Sequence, residues 1–162
     1  MVEDDAAAAR EAAVRLLARR EHSARELQRK LAERGFESAA VAEALEGLAA
    51  DGLLSDERFA EAFVGSRIER GSGPRRIQAE LRERGITDEL IARHVDFSDR
   101  QWRERAARVR RKRFGPALPG ELRERSRQAR FLQYRGFTAE QARAALNDTE
   151  DELGLDDAPD PL

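Results

Sequence analysis

At 162 residues and a formal net charge of −2, the chain is long enough to bury a core as one domain or as a short array. It contains no cysteine, which excludes disulfides and thiolate metal sites, and it has no apolar run approaching the ~20 residues of a membrane span. Aromatic residues make up 6% and charged residues 38% of the chain, so a core must come from alanine, leucine and valine at helical spacing, and an all-α fold is expected.

Residues 6–20 are predicted to form a first helix, with Ala13, Leu16 and Leu17 on one face and Arg10, Arg15, Arg19 and Arg20 around the other. Ser23-Ala24-Arg25-Glu26 is a capping-box pattern that opens a second helix. That helix ends at Gly35, and a third runs from near Ser38 through Val41, Ala44, Leu45 and Leu48 to Asp51-Gly52. The next helix is capped by Ser55 or Asp56, carries Phe59 and Phe63 as an i, i+4 pair and reaches about Arg70. Gly71-Ser72-Gly73-Pro74 stops it, and Pro74 suits the first turn of the following helix because its missing amide proton would be unpaired there. Beyond Gly85, Thr87 caps a helix with Leu90, Ile91, His94 and Val95. Ser98-Asp99-Arg100-Gln101 reads as another capping box, opening a helix that carries Trp102, Ala106, Val109 and the run Arg110-Arg111-Lys112-Arg113. Residues 121–135 form the next helix, and Thr138-Ala139-Glu140-Gln141 caps the last, which packs through Ala142, Ala145 and Leu146.

An internal repeat organises these elements. The stretches ending Leu31-Ala32-Glu33-Arg34-Gly35-Phe36, Leu81-Arg82-Glu83-Arg84-Gly85-Ile86 and Leu132-Gln133-Tyr134-Arg135-Gly136-Phe137 place their glycines 50 and then 51 residues apart, a period typical of stacked supersecondary units. Each predicts a helix closed by a glycine in the left-handed C′ position, with the leucine and the following large apolar residue in contact. Ser23 and Gly73 both stand twelve residues before such a glycine, so they are equivalent positions. The expected architecture is a tandem array of three three-helix units, about nine short helices in an elongated crescent. Its segments are an acidic start (1–11), repeat 1 (12–51), repeat 2 (52–97), a strongly basic repeat 3 (98–147), and an acidic tail (148–162) expected to be disordered.

The small net charge hides a polar layout. Residues 12–147 carry 29 basic and 21 acidic side chains, a net of +8, whereas residues 148–162 carry seven acids and no base. Most of the excess lies in residues 99–135, with thirteen bases against four acids. Such a block is the footprint of a surface that meets nucleic acid or another polyanion.

Four stretches resemble the bacterial RecX family: Arg19-Arg20-Glu21-His22-Ser23-Ala24-Arg25-Glu26-Leu27, Leu54-Ser55-Asp56-Glu57-Arg58-Phe59-Ala60, Gly73-Pro74-Arg75-Arg76-Ile77 through Gly85-Ile86, and Arg130-Phe131-Leu132-Gln133-Tyr134-Arg135-Gly136-Phe137. They occur in the family's order over residues 10–147. The resemblance implies a small cytoplasmic protein of tandem three-helix repeats that binds RecA filaments and restrains ATP hydrolysis, strand exchange and the coprotease function of the SOS response. Two departures stand out: His22 replaces the family's common tyrosine, and the acidic tail follows no family pattern. The tail could compete with DNA for the basic repeat or keep the protein soluble, and solubility is the expected role.

No phosphate-binding loop of the form GxxxxGK[ST] is present, so any effect on ATP hydrolysis acts through a partner. His22 and His94 fall in different units and suit structural positions better than a metal or general-base role. No acid/base dyad stands out among carboxylates spaced for caps and helical ion pairs. A non-enzyme without cofactor or metal is expected, monomeric and without a membrane segment. The partner that the resemblance implies is the RecA filament, and the basic third repeat adds single- or double-stranded DNA as an expected second partner. The candidate contacts are Arg75 and Arg76, in a first helical turn where free amides already favour anions; Arg110, Arg111, Lys112 and Arg113, four consecutive residues that cannot share one helix face; the stripe Arg123, Arg127 and Arg130; and Arg135. The alternative is an independent helix-turn-helix-like DNA-binding protein.

Overall fold

The computed structural model of the protein describes residues 2–147; the predicted acidic tail lies outside them. Among the described residues there are nine helices and no strand: α1 (Val2–Leu17), α2 (Ala24–Glu33), α3 (Ser38–Ala50), α4 (Asp56–Glu69), α5 (Pro74–Glu83), α6 (Asp88–His94), α7 (Gln101–Phe114), α8 (Leu122–Tyr134) and α9 (Ala139–Asn147). They gather into two compact units, one holding the chain to Ser66 together with Ala79–His94, the other holding Arg67–Gln78 together with the residues from Val95 onward.

The first unit is built on an alanine-rich seam. Ala9, Ala13 and Leu16 of α1, Leu27 and Leu31 of α2, Val41, Ala44 and Leu48 of α3, and Leu54 form its core. Each fully buried leucine contributes about 1.5–3 kcal/mol. The first helix begins and ends earlier than the predicted 6–20: Asp4 and Asp5 suit the positive end of the helix dipole, and the helix stops at Leu17, before the turn through Arg19 and Arg20.

All three glycine-terminated helices close as expected. Gly35, Gly85 and Gly136 have φ of +91°, +78° and +103°, and the amides of Phe36, Ile86 and Phe137 reach back to the carbonyls of Leu31, Leu81 and Leu132 at 3.2, 3.1 and 3.1 Å. This is the six-to-one bond of a Schellman turn.

The N-terminus of α2 is capped twice. Ser23 Oγ accepts the amide of Glu26 at 3.1 Å, and Asp56 Oδ1 accepts the amide of Ala24 at 2.8 Å. Asp56 therefore serves α2, while Ser55 caps its own helix by accepting the amide of Arg58 at 3.1 Å. The predicted capping box closes from one side: the Glu26 carboxylate turns to Arg20 and Arg84, each at 3.0 Å, because guanidinium donors bind a carboxylate more strongly than a neutral amide does. Ser23 Oγ also donates to the Arg84 carbonyl at 2.8 Å, so the start of α2 is fastened to the end of α5. The predicted aromatic pair forms, with the Phe59 and Phe63 ring centroids 5.6 Å apart, and Thr87 Oγ1 accepts the Leu90 amide at 3.3 Å as the cap of α6.

Buried beside this junction, His22 meets the Arg20 carbonyl through Nδ1 and the Lys30 ammonium through Nε2, both at 3.1 Å. The ammonium must donate, so Nε2 carries the lone pair and the proton sits on Nδ1. Burial first, then the charges of Arg20 and Lys30, lower the His22 pKa from its ordinary 6.5; the Arg20 carbonyl and Glu26 oppose them. The unfolded chain therefore takes up the proton first, and this contribution to stability is complete above pH 6.5 and lost as pH falls below it. Urea melts at pH 7.5 and 5.5 should show a larger loss for the native protein than for His22→Gln; equal losses would mean that His22 does not carry the dependence.

In the second unit α7, α8 and α9 pack together over Trp102, Ala106, Ala107, Leu132, Phe137, Ala142 and Ala145. Trp102 Nε1 donates to the Asp96 carbonyl at 2.8 Å. Thr138 and Gln141 form the full reciprocal capping box, with Gln141 N–H to Thr138 Oγ1 at 3.1 Å and Thr138 N–H to Gln141 Oε1 at 3.0 Å. The cap predicted from Ser98 does not form. Its hydroxyl donates to Asp96 Oδ1 at 2.6 Å, and Asp99 accepts the Gln101 amide at 3.0 Å.

The start of α5 is fastened to the end of α8 by two backbone hydrogen bonds. Gly73 N–H donates to the Arg135 carbonyl at 2.8 Å, and Arg75 N–H donates to the Gly136 carbonyl at 2.9 Å. Pro74 occupies the first helical position as expected.

Candidate functional site

The second unit carries a groove of about 460 Å³. On α7, residues 105, 108, 109 and 112 recur at helical spacing and share one face, so Arg105, Arg108, Val109 and Lys112 line it together with Arg113. The last turn of α4 and the chain after it, Ile68 to Ser72, form a second wall, and Phe131, Arg135 and Phe137 complete the lining. Six cations, Arg70, Arg105, Arg108, Lys112, Arg113 and Arg135, thus surround an apolar floor of Ile68, Val109, Phe131 and Phe137, with Glu69 the acid among the lining residues.

Three sets of contacts fix the groove's lining side chains. Arg135 Nε donates to the Gly71 carbonyl at 3.1 Å, and its terminal nitrogen donates to the Arg70 carbonyl, which ties down the end of α4. The Phe131 ring meets Phe114 edge-on at 5.3 Å, and the Arg113 guanidinium lies 5.7 Å from its centroid. Arg105 lies 4.5 Å over the Trp102 ring and donates to Gln101 Oε1 at 2.8 Å. Arg108, Lys112 and Arg113 have no carboxylate within ion-pair distance among the described residues. Concentrating like charges around an apolar floor opposes folding, which is the pattern of a surface organised for an anionic ligand.

Of the predicted contacts, the structure gathers Lys112, Arg113 and Arg135 here. Arg110 is a correction. It is 2% exposed, and its guanidinium donates to the Ala117 carbonyl, Gln128 Oε1 and the Pro116 carbonyl, each at 3.3 Å. Burial, then the charge of Arg111, lowers its pKa. Four consecutive residues circle the helix, and Arg110 is the one turned inward to hold the loop after α7. Arg111 is half-buried and outside the groove lining. Arg135 lines the groove with its guanidinium already bonded to the two carbonyls of the α4 end.

Arg75 and Arg76 are exposed in the first turn of α5. Of the first-turn amides expected to be open beneath them, that of Arg75 is already bonded to the Gly136 carbonyl. Arg123, Arg127 and Arg130 are exposed on α8 outside the groove; Arg127 pairs with Glu124 at 3.6 Å and lies 5.6 Å from the Phe114 centroid.

Arg70, Arg105 and Arg108 were not singled out from sequence. The spacing of 105, 108 and 112 was a usable signal, since residues three and four apart form one stripe; the dense run at 110–113 drew the reading one face too far. Nothing local marks Arg70, which enters the groove through a contact remote in sequence. Among the described residues no group of three or more His, Asp or Glu side chains is placed to hold a metal ion. No helix there is long and apolar enough to cross a membrane.

The sequence models of the first, second and third three-helix domains of RecX match residues 9–48, 55–94 and 99–146. A regulatory protein RecX from Halorhodospira halophila is 53% identical over 149 residues, covering 91% of this chain and 92% of its own length. One from Chromohalobacter salexigens is 46% identical over 138 residues, covering 85% of this chain and 90% of its own. The crystal structure of RecX from Lactobacillus salivarius superposes with a TM-score of 0.76 at 20% identity, over 93% of this chain and 99% of that one.

Proposed function

The chain belongs to the RecX family of regulatory proteins, and from that premise we propose that it binds RecA filaments on single-stranded DNA and lowers their ATPase, recombinase and coprotease activities. It acts by occupation rather than by chemistry, as a monomeric cytoplasmic protein without a cofactor. Three repeats, bounded near residues 51 and 97, spread many weak contacts over adjacent filament subunits. The match of all three domains in order carries the reading. The basic groove adds its polyanion half, in which Arg105, Arg108, Lys112 and Arg113 meet phosphates or an acidic protein surface, and such contacts are salt-sensitive. The exposed Arg75, Arg76, Arg123, Arg127 and Arg130, with the half-buried Arg111, extend this basic surface as secondary contacts.

The test is the rate of ATP hydrolysis by RecA on single-stranded DNA as the protein is titrated in. Native protein should suppress hydrolysis well below one molecule per RecA. An Arg105→Glu/Arg108→Glu/Lys112→Glu variant should need about tenfold more, equivalent to ~1.4 kcal/mol of lost binding, while Arg110→Met, altered in the interior, should match the native protein. No suppression by native protein, with tight binding to bare DNA, would instead establish the independent DNA-binding alternative, which the groove's charge also favours.

A further inference from the structure

We propose that residues 148–162 occupy the basic groove of the second unit and compete there with external polyanions, so that the chain carries its own competitor. The inference rests on the groove being the polyanion-binding face. Its first support is complementarity of charge. The groove sets six cations against Glu69, and Arg108, Lys112 and Arg113 lack a carboxylate partner among the described residues. The segment beyond Asn147 supplies seven carboxylates and no base.

The second support is complementarity of pattern. The groove is a charged rim around the apolar floor of Val109, Phe131 and Phe137, which suits an occupant that is acidic at its edges and apolar within. In sequence, Glu150-Asp151-Glu152 and Asp156-Asp157 flank Leu153-Gly154-Leu155. A segment meant solely for solubility has no need of leucines between its acids.

The third support is reach. The segment leaves α9 at Asn147, whose side-chain oxygen accepts from Arg125 at 2.6 Å, and α9 packs on α7 and α8 within the groove's own unit. Fifteen extended residues reach roughly 50 Å, more than twice the ~21 Å length of α7. Attachment at that range gives an effective concentration in the millimolar range, so weak ionic contacts suffice for occupancy yet yield to a polyanion that offers more phosphates at once.

The absence of cysteine permits a direct test in the full-length chain. A nitroxide on Ala158→Cys, just beyond the acids that flank the two leucines, should broaden the amide resonances of Val109, Phe131 and Phe137, and Lys112→Glu/Arg113→Glu should restore them. Exchanging the seven tail acids for their amides should tighten binding of a twenty-residue oligothymidylate about tenfold at 50 mM salt, with the gap closing at 0.5 M as screening removes both contacts. Broadening absent from the groove would overturn the seat, and an unchanged affinity would overturn the competition. Failure of both chains to bind the oligonucleotide, with broadening intact, would overturn the polyanion reading and the competition with it, and leave the seat itself standing.

Discussion

Replacing Gly73 by alanine is expected to destabilise the protein by about 3 kcal/mol or more, far beyond the effect of an ordinary glycine-to-alanine change. A Cβ at this position would lie 2.3 Å from the Gly136 carbonyl carbon and 2.3 Å from the Phe137 nitrogen. Both are backbone atoms in a Schellman turn that holds Gly136 at φ +103°, so neither can yield as a flexible side chain would. Relief requires α5 and the end of α8 to separate. That lengthens the bonds from Gly73 to the Arg135 carbonyl, at 2.8 Å, and from Arg75 to the Gly136 carbonyl, at 2.9 Å. Overpacking contributes about 1–3 kcal/mol, and each weakened bond adds about 1 kcal/mol. The melting temperature should fall by roughly 10 °C, with faster hydrogen exchange at the Arg75 amide. Gly73→Ser should do no better, although serine is the residue at the equivalent position in the first unit. A loss below about 1 kcal/mol would mean that the two segments are not in contact.

That equivalence shows how much of the fold was legible in the sequence. The twelve-residue spacing placed Ser23 and Gly73 at matching positions, and each proves to donate to the carbonyl of the residue before a later glycine: Ser23 Oγ to Arg84 and Gly73 N–H to Arg135. The helix ends were readable because a Schellman turn is written in six consecutive residues. Which helix start meets which helix end was not readable, because a hydroxyl in one case and a bare amide in the other leave no common pattern. The site follows the same division. Net charge located the basic block, but the face each arginine takes depends on what packs behind it. Ala106 and Ala107 turn inward and take Arg110 with them, leaving Arg105, Arg108 and Lys112 facing the groove.

The first unit's junction depends on side chains, so its weak point is a charge. Glu26→Ala should destabilise the protein by about 3 kcal/mol, toward the lower end of the range for breaking a buried ion pair. The Glu26 side chain is 6% exposed and engages two guanidinium groups at 3.0 Å, one from Arg20 at 52% exposure and one from Arg84 at 30%. Arg20 can recover its hydration on losing the carboxylate. Arg84 is held more tightly: it lies 4.6 Å over the Phe63 ring and donates to the Glu80 carbonyl at 3.2 Å. The penalty of an unmatched cation therefore falls mainly on Arg84. A double-mutant cycle separates the two partners, and Glu26→Ala combined with Arg84→Met should recover more than 1 kcal/mol, against a few tenths with Arg20→Met. Equal couplings would place the charge in solvent rather than in the joint. Since the carboxylate is the acceptor that joins the turn before α2 to the end of α5, its loss should also speed proteolysis between Arg20 and Ala24 before the core melts, as local opening requires.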